Sequence, residues 1–395
     1  NGANIYDKVK ITNKEQTLEG IIMPRNNFSG EHIIVLKLDN GYNIGVSTED
    51  AEISIIEKAK EKVTKKLENK KNKNLKDITI LGTGGTIASF VDYKTGAVSP
   101  AITAEQLVNS VSSLKEIANI EAEPLLSLAS EDIKPKHWEQ MAAKVEEIHS
   151  NKNHGIIIGH GTDTMGYSAA ALSFQLQELS NPVIFTGSQR SPDRPSSDAH
   201  LNLGGAAKAA MSDLGEIAIA MHETTDDIGV AIWRGTRTRK NHSSKRNAFT
   251  SLSDEPIGIV NEKIEWKGKY KPICDETTIK PGFDDNIAMV WAHPAFKAED
   301  WENTISSKKG VVIAGTGLGH INSNLLDSIS KTAKDIPVAM STQCLAGTTN
   351  LNVYRNGREL LEKGVVETYD TLPETSLVKM MWLTKHEPDK VEELM

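Results

Sequence analysis

Residues 81–89 read LGTGGTIAS and follow the apolar run Ile78-Thr79-Ile80, so a predicted strand leads into three glycines and two threonines. Glycine-rich turns after a strand commonly bind phosphate, because backbone N–H groups can approach its oxygens closely. A Walker loop would need Lys-Ser or Lys-Thr after the glycines, and the dinucleotide pattern would need a third glycine at Ile87. Neither phosphate-binding motif is therefore present in this loop.

Two other loops that follow predicted strands carry reactive side chains. HGTDT (160–164) follows the apolar run 155–159, and RGTRTRK (234–240) follows GVAIW (229–233). A threonine hydroxyl becomes a good nucleophile only when a neighbour accepts its proton, and a lysine can do this only if its pKa is lowered. Nearby positive charge lowers the pKa of an ammonium group. The sequence places four arginines near Lys240: Arg234, Arg237, Arg239 and Arg246.

The elements that position these loops are predicted by the hydrophobic pattern. From Ile78 onward, short apolar β-branched runs alternate with amphipathic helical segments such as 136–149, 164–178 and 198–211. This alternation predicts an α/β fold with a parallel sheet that is covered by helices on both faces. Because ligands bind outside the carboxyl ends of such strands, we expect the three loops to meet there.

The pattern before Ile78 is different. Residues 1–56 contain five short β-rich runs separated by turns such as Asp39-Asn40-Gly41, which predicts a small SH3-like barrel. Residues 57–76 contain nine lysines and three glutamates, which predicts a basic helical tether or a weak contact with a phosphate backbone. We expect two α/β lobes to follow, the larger at 77–275 with the active site and the smaller at 286–395.

Composition restricts the classes of protein. A chain of 395 residues with a net charge of −8 is long enough for two or three domains and is not a generally basic nucleic-acid binder. Its two cysteines, Cys274 and Cys344, predict neither a disulfide framework nor a zinc site. This sparse use of cysteine favours a reducing, cytoplasmic setting. With no apolar run of about 18 residues, we expect no membrane span.

The runs ITILGTGGTIA (78–88) and GHGTDTM (159–165) resemble the two signature motifs of bacterial-type L-asparaginases, and 186–203 is similar to the segment that follows them in that family. The resemblance implies a two-lobed asparaginase-like fold and amide hydrolysis by a threonine nucleophile. It implies that Thr86 is the attacking residue and that Thr162, Asp163 and Lys240 activate it. It also implies that Ser130 and Glu131 bind the carboxylate and amine of the substrate. Tyr93 would lie in a loop that closes over the substrate.

Two departures from ordinary asparaginases stand out: the added barrel with its tether, and Leu318 where homotetrameric enzymes tend to have asparagine. Both features resemble the D subunits of archaeal glutamyl-tRNA(Gln) amidotransferases. That resemblance implies glutamine as substrate, no cofactor in this chain, and a kinase-like E subunit that uses ATP and magnesium and receives ammonia. Glu-tRNA(Gln) would be bound mainly by this partner, and a homodimer within an α2β2 heterotetramer is implied.

Other interpretations remain open from the sequence alone. The chain could be a stand-alone L-asparaginase with an extra barrel, or a catalytically degenerate scaffold that binds tRNA or protein. Asp163 could simply cap the helix that is predicted to begin near Thr164, and Glu131 could cap helix 136–149. Lys245 is an alternative to Lys240. His160, His222 and His293 follow strands, but their spacing predicts ordinary packed histidines and no metal site.

Overall fold

The computed structural model describes most of the chain. The described residues are 2–14, 16–23, 32–38, 43–58, 71–85, 89–91, 98–100, 114–151, 154–192, 197–251 and 253–395.

The N-terminal unit consists only of strands. They are β1 (Lys8–Thr12), β2 (Thr17–Met23), β3 (Ile33–Lys37), β4 (Asn43–Ser47) and β5 (Glu52–Glu57). All neighbours pair antiparallel in the order β4-β3-β2-β1-β5. Val9, Ile11, Leu36 and Val46 are buried in its small core, because alternate residues of a strand share one face. The predicted all-β N-terminal unit is confirmed as an antiparallel sheet.

The basic tether predicted over residues 57–76 is described only at its ends. Glu57 is the last residue of β5, and residues 59–70 lie outside the described residues. Residues 71–76 form a turn rather than a helix, and the Asn119 side chain binds the backbone of Asn72 there, with its carbonyl 2.8 Å from the Asn72 N–H. The chain then enters the first strand of the large sheet.

The middle of the chain forms an α/β unit with a large sheet. Its strands are β6 (Asp77–Gly84), β7 (Ser89–Val91), β8 (Val98–Pro100), β9 (Asn119–Leu128), β10 (Gly155–Gly159), β11 (Leu176–Glu178), β12 (Val183–Thr186), β13 (Ile217–His222), β14 (Val230–Arg234), β15 (Thr238–Lys240), β16 (Phe249–Ser251), β17 (Gly258–Val260), β18 (Ile264–Trp266) and β19 (Thr278–Ile279). Its helices are α1 (Leu114–Ile117), α2 (Pro135–Asn151), α3 (Met165–Gln175) and α4 (Ala199–Ala210), with a 3₁₀ turn at Ser130–Asp132.

Eight of these strands form one sheet in the order β18-β17-β14-β13-β12-β10-β6-β9. The five strands from β13 to β9 are parallel, as predicted. The other three, β14, β17 and β18, are antiparallel, which the sequence pattern did not predict. Three small antiparallel pairs, β7-β8, β11-β19 and β15-β16, are separate from the large sheet.

Helices cover both faces of the large sheet. Successive residues of a strand point to opposite faces, so Ile156 and Ile158 pack against α2 and α3, whereas Ile157 packs against α4. The residues of the inner strands are almost entirely buried on both faces of the sheet. This burial explains why the strands are continuous apolar runs rather than alternating ones.

The C-terminal region, residues 286–395, contains a second sheet. Its strands are β20 (Ile287–Trp291), β21 (Gly310–Gly315), β22 (Val338–Thr342) and β23 (Val365–Glu367), and its helices are α5 (Ala298–Ile305), α6 (Leu326–Thr332), α7 (Arg355–Glu362), α8 (Pro373–His386) and α9 (Val391–Leu394). Two 3₁₀ turns lie at Ser323–Leu325 and Pro388–Lys390. The four strands pair in sequence order and are all parallel.

Helix α8 joins the C-terminal region to the middle α/β unit by packing contacts. Pro373 occupies its first turn, where the missing N–H costs nothing, and Glu374 places a carboxylate near the positive end of the helix dipole. Val378 and Met381 of α8 share one hydrophobic cluster with Leu172 of α3. The C-terminal region is therefore packed directly against the helix that follows the HGTDT loop.

Two further observations concern the whole chain. In the part of the chain that the structure describes, none of the helices has the length and apolar character needed to cross a lipid bilayer. Cys274 and Cys344 are both exposed free thiols.

Candidate active site

The glycine-rich loop lies against the HGTDT loop. Strand β6 continues through Gly84 instead of ending before the glycines, and Gly84 and Gly85 have φ angles of 108° and 80°. A Cβ on Gly84 would collide with the Leu128 carbonyl, and one on Gly85 would collide with the backbone of Gly161. The two glycines therefore allow both the left-handed backbone and the close approach of neighbouring loops.

Two predicted site residues, Thr86 and Tyr93, lie outside the described residues. Gly85, which precedes Thr86, is described and abuts Gly161. The strands that precede these two glycines, β6 and β10, are also joined by a side chain: the Thr83 hydroxyl donates to the Gly159 carbonyl at 2.8 Å. The backbone before Thr86 is thus fixed beside the residue that precedes Thr162.

The structure brings together Thr162, Asp163 and Lys240. Lys240 Nζ lies 2.8 Å from Thr162 Oγ1 and 2.7 Å from Asp163 Oδ1. Thr162 is only 6 % exposed and the Lys240 side chain 12 %, whereas the Asp163 side chain is 67 % exposed. The amine thus joins a buried hydroxyl to a carboxylate at the surface of the site.

Lys240 reaches this position by an unexpected route. Strand β14 is antiparallel to β13, so Arg234 lies at the amino edge of the parallel strands, opposite to Thr162. The next six residues return along α3, where the Thr238 carbonyl lies close to Gly166, and β15 then presents Lys240 to Thr162. Lys245 is exposed in the following turn. Lys240, and not Lys245, therefore faces the predicted catalytic threonine.

The four arginines near Lys240 in sequence do not converge on it as unpaired charges. Each lies within hydrogen-bonding distance of a carboxylate oxygen: 2.6 Å for Arg234 and Glu216, 2.7 Å for Arg237 and Asp370, 2.6 Å for Arg239 and Glu374, and 2.7 Å for Arg246 and Asp227. Their charges are therefore largely compensated locally. Two of the four carboxylates, Asp370 and Glu374, belong to the C-terminal region.

The predicted substrate-binding pair lies on the other side of the HGTDT loop. Ser130 and Glu131 begin the 3₁₀ turn that follows β9, and the Ser130 hydroxyl is 3.4 Å from a Glu131 carboxylate oxygen. Ser130 is buried against Gly161, whereas Glu131 is exposed. This places a buried hydroxyl and an exposed carboxylate side by side next to the HGTDT loop.

The capping alternative for Asp163 finds little support in the geometry. Helix α3 begins at Met165 with Thr164 as its N-cap residue, and no side chain forms a capping hydrogen bond there. The Thr164 hydroxyl instead donates to the Ser130 carbonyl at 2.6 Å. Thr164 thus ties the substrate-binding turn to the loop that carries Thr162 and Asp163.

His160 is held in a buried hydrogen-bond chain that the sequence did not reveal. Its Nδ1 lies 2.6 Å from the Gly161 carbonyl, and its Nε2 lies 2.9 Å from the Ser168 hydroxyl. The Trp138 indole N–H donates to the same hydroxyl at 2.9 Å. Because a carbonyl only accepts, Nδ1 carries the proton and Nε2 accepts from Ser168. The chain fixes the peptide between Gly161 and Thr162, and His160 is a packed histidine as predicted.

The buried histidines lead to a prediction about acid stability. Burial lowers the pKa of His160 and of His149 from the ordinary 6.5 to about 4. Between these values the unfolded chain binds a proton at each histidine and the folded chain does not, so the free energy of unfolding falls as the pH falls. We expect a loss of about 2 kcal/mol per histidine between about pH 7 and about pH 5.

Urea unfolding at the two pH values measures this loss. In His160→Gln the loss of unfolding free energy between the two pH values should be smaller by about the contribution of one histidine. His200 is exposed, and His200→Gln should leave the pH dependence unchanged. Equal pH dependence in wild type and His160→Gln would contradict the prediction.

Asp198 is a residue near the site that the sequence did not single out. It is fully buried at the start of α4, and its carboxylate accepts the backbone N–H groups of Gln189 and Arg190 at 2.9–3.0 Å. Asn202 donates to the same carboxylate at 3.1 Å and to the Gly187 carbonyl at 3.0 Å. Asp198 therefore shapes the loop after β12, next to Thr162. Its only signal in the sequence was its place in the segment 186–203.

The other two histidines considered for metal binding differ from each other. His222 is buried between Asn202 and Asp227, at 2.6 and 3.3 Å, and burial lowers its pKa. His293 is exposed. Among the described residues, no group of three or more His, Cys, Asp or Glu side chains could hold a metal ion.

Comparison with known proteins assigns each part of the chain to a family. Residues 3–56 match the GatD N-terminal domain, residues 77–272 the N-terminal asparaginase domain, and residues 286–395 the glutaminase/asparaginase C-terminal domain. The thermostable L-asparaginase from Thermococcus kodakarensis has a similar structure, with a TM-score of 0.74 and 34% sequence identity. The similarity covers 80% of this chain and 95% of the asparaginase. The asparaginase-like α/β fold is thereby confirmed.

Full-length relatives extend the similarity to the N-terminal sheet. The D subunit of the Pyrococcus furiosus glutamyl-tRNA(Gln) amidotransferase is 46% identical over 401 residues, covering 98% of this chain and 92% of the relative. The D subunit of the Thermococcus kodakarensis amidotransferase is 42% identical and covers 99% of this chain and 92% of the relative. This chain therefore belongs to the family of glutamyl-tRNA(Gln) amidotransferase D subunits.

Proposed function

We propose that this chain hydrolyses the side-chain amide of glutamine and supplies the released ammonia to a partner subunit that converts Glu-tRNA(Gln) to Gln-tRNA(Gln). The observation that carries the proposal is the placement of Lys240 Nζ, 2.8 Å from Thr162 Oγ1 and 2.7 Å from Asp163 Oδ1. A hydroxyl, an amine and a carboxylate in contact form the kind of group that activates a nucleophile for acyl transfer.

The proposed reaction has two stages. A threonine hydroxyl attacks the amide carbon while the Lys240 amine accepts the hydroxyl proton, and Asp163 stabilises the ammonium that results. That proton passes to the leaving nitrogen, so ammonia departs and a threonyl ester remains. Water then attacks the ester by the same proton transfer and releases glutamate.

We assign the attack to Thr86 because of the resemblance of 78–88 to the asparaginase motif, and the activation to Thr162, Asp163 and Lys240. The position of Gly85 beside Gly161 supports this assignment, since it brings the residue before Thr86 next to the HGTDT loop. Closely packed glycines leave backbone N–H groups available to a developing oxyanion. Tyr93 would close the site over the substrate.

The free amino acid substrate brings an ammonium and a carboxylate as well as its amide. Ser130 and backbone N–H groups near it would bind the carboxylate, and Glu131 would bind the ammonium. The hydrogen bond from Thr164 to the Ser130 carbonyl supports this role, because it holds the binding turn in register with the activating residues.

The proposed assembly contains a second type of subunit. In this proposal ATP and magnesium act on the partner, an E subunit with kinase and transamidase activity, and this chain needs no cofactor. The chain would form a homodimer within an α2β2 heterotetramer in the cytoplasm. The lysine-rich segment 57–76 would contact tRNA or the partner.

Two other functions make different predictions. A stand-alone L-asparaginase would hydrolyse asparagine without a partner, and the structural similarity to an asparaginase over residues outside the N-terminal sheet favours it. A degenerate scaffold would hydrolyse neither amide, and the assembled Thr162, Asp163 and Lys240 weigh against it.

Ammonia release separates the three functions. Ammonia should be measured from glutamine and from asparagine, with the purified chain alone and with its E subunit and tRNA. We expect release from glutamine that increases in the complex. Strong release from asparagine by the chain alone would support the stand-alone enzyme, and no release from either amide would support the scaffold.

Covalent trapping tests the order of the two threonines. A diazoketone analogue of glutamine should alkylate the attacking hydroxyl, and peptide mass mapping should place the label on Thr86. Thr86→Val should then remain unlabelled. A label on Thr162 would reverse the two roles, and no label on either residue would contradict covalent catalysis.

A further inference from the structure

A short segment of the C-terminal region holds the strand that carries Lys240. We call residues 370–375 the anchor segment. The Thr375 hydroxyl donates to the Thr236 carbonyl at 2.9 Å, Arg237 Nη1 lies 2.7 Å from an Asp370 carboxylate oxygen, and Arg239 Nε donates to Glu374 Oε1 at 2.6 Å. Three successive contacts thus bind residues 236–239 to the anchor segment.

The alternation of β15 separates these contacts from the active site. Thr238 and Lys240 share one face of the strand, and Arg239 points to the other. The face with Lys240 meets Thr162, while Arg239 meets Glu374 at the start of α8. The anchor segment therefore contacts the strand on the face opposite to the one that carries Lys240.

Strand β15 has little support of its own. It is three residues long, and among the described strands it pairs only with β16, which is also three residues long. Such isolated two-stranded pairs are marginally stable. A strand this short needs tertiary contacts to keep the amine at a fixed distance from the threonine.

The contact between Arg239 and Glu374 is suited to fix this position. The two side chains are only 15 % and 17 % exposed, so solvent screens their attraction little. Burial, with the charge of Glu374, raises the pKa of the adjacent Tyr167 to about 12, so the phenol stays neutral beside the pair. The guanidinium and carboxylate thus attract each other in a water-poor region between α3 and α8.

The position of Asp370 is also well defined. Tyr369, before it, has a φ angle of 51°, which a bulky residue rarely adopts. The N–H of Thr371 donates to the Thr368 carbonyl at 2.9 Å and closes this turn. The carboxylate that meets Arg237 therefore projects from a constrained turn.

We propose that Glu374 and Asp370, acting through Arg239 and Arg237, are positioning residues that hold Lys240 at Thr162. The inference rests on the proposed function in one respect, namely that Lys240 transfers the proton in amide hydrolysis. It adds that the C-terminal region controls the geometry of that transfer. Loss of the anchor contacts then lowers the rate of the chemical step without weakening substrate binding.

The test compares Glu374→Ala and Glu374→Gln in the full chain with its partner present. For Glu374→Ala we expect kcat for glutamine hydrolysis to fall by about 10-fold to 100-fold, with KM within about twofold of wild type. Glu374→Gln keeps a side-chain oxygen that accepts from Arg239, so the kcat of this variant should lie between those of wild type and Glu374→Ala. Circular dichroism verifies that each variant is folded.

Glu387 offers a matched control. Its carboxylate lies 2.6 Å from Lys280 Nζ, just beyond the other end of α8 and away from the anchor segment. Glu387→Ala should therefore keep wild-type kcat. If Glu374→Ala fails to fold, Asp370→Ala replaces it, since its pair with Arg237 is more exposed; a fall in kcat of about threefold to tenfold is expected.

A double mutant separates this proposal from the proposed function. In a Lys240→Ala background, Glu374→Ala should change the residual rate by less than about twofold, because the group that it positions is gone. An undiminished effect in that background, or wild-type kcat in folded Glu374→Ala, would overturn the positioning role. Wild-type activity of Lys240→Ala alone would instead overturn the proposed function.

Discussion

Replacement of Lys240 by alanine is expected to lower kcat for glutamine hydrolysis by about 10²–10⁴-fold, the range that a positioned general base contributes. The reason is that Lys240 Nζ is the only amine placed beside Thr162 and Asp163 among the described residues. KM should change little, because the proposed substrate contacts come from Ser130 and Glu131. Ammonia release under saturating glutamine measures the effect.

Lys245 provides the control for this experiment. It is a lysine of the same basic segment, but it is exposed and its backbone N–H donates to His242 Nδ1 at 3.0 Å. Lys245→Ala should therefore retain wild-type kcat. Loss of activity in Lys245→Ala with retention in Lys240→Ala would exchange the two assignments.

The second large effect is expected at Thr162. Valine has almost the same shape as threonine but replaces the hydroxyl by a methyl group, so Thr162→Val removes the group that Lys240 contacts while it leaves the packing intact. We expect kcat to fall by at least about a thousandfold, as for other members of a catalytic group. Thr162→Ser keeps a hydroxyl and should retain measurable activity.

Thr164→Val distinguishes a chemical role of Thr162 from a role in supporting the loop. Thr164 lies two residues away, and its hydroxyl holds the Ser130 carbonyl instead of contacting Lys240. This variant should raise KM and lower kcat by only about tenfold, because it displaces the binding turn and leaves the reacting groups in place. Similar losses in Thr162→Val and Thr164→Val would mean that Thr162 only supports the loop.

The fold was predictable where hydrophobic runs dictated it. Residues 155–159 are buried on both faces of the sheet, and a short β-branched apolar run such as GIIIG is typical of such a strand. The direction of β14 was not predictable, because a short apolar strand reads the same in a parallel or an antiparallel sheet. The resulting error placed Arg234 at the wrong edge of the sheet.

The site was predictable only where the chain keeps its chemistry in one motif. Thr162 and Asp163 are adjacent in HGTDT, whereas Lys240 lies 78 residues from Thr162 and was predicted from its basic surroundings and from the resemblance to asparaginases. Nothing in the sequence indicated which carboxylate each arginine meets. Arg239 and Glu374 are 135 residues apart, and charges attract at any separation along the chain. The sequence therefore predicted an electrostatic effect of the arginines on Lys240, whereas in the structure each arginine pairs with a carboxylate.

The contacts between residues 236–239 and the anchor segment have a consequence for protein synthesis. A ribosome that has translated residues 1–285 has already made Thr162, Asp163 and Lys240, but not the carboxylates of Asp370 and Glu374. The nascent chain would then fold its large sheet with a poorly placed lysine. Unfinished chains would thus hydrolyse glutamine more slowly than chains in which the anchor segment has folded against residues 236–239.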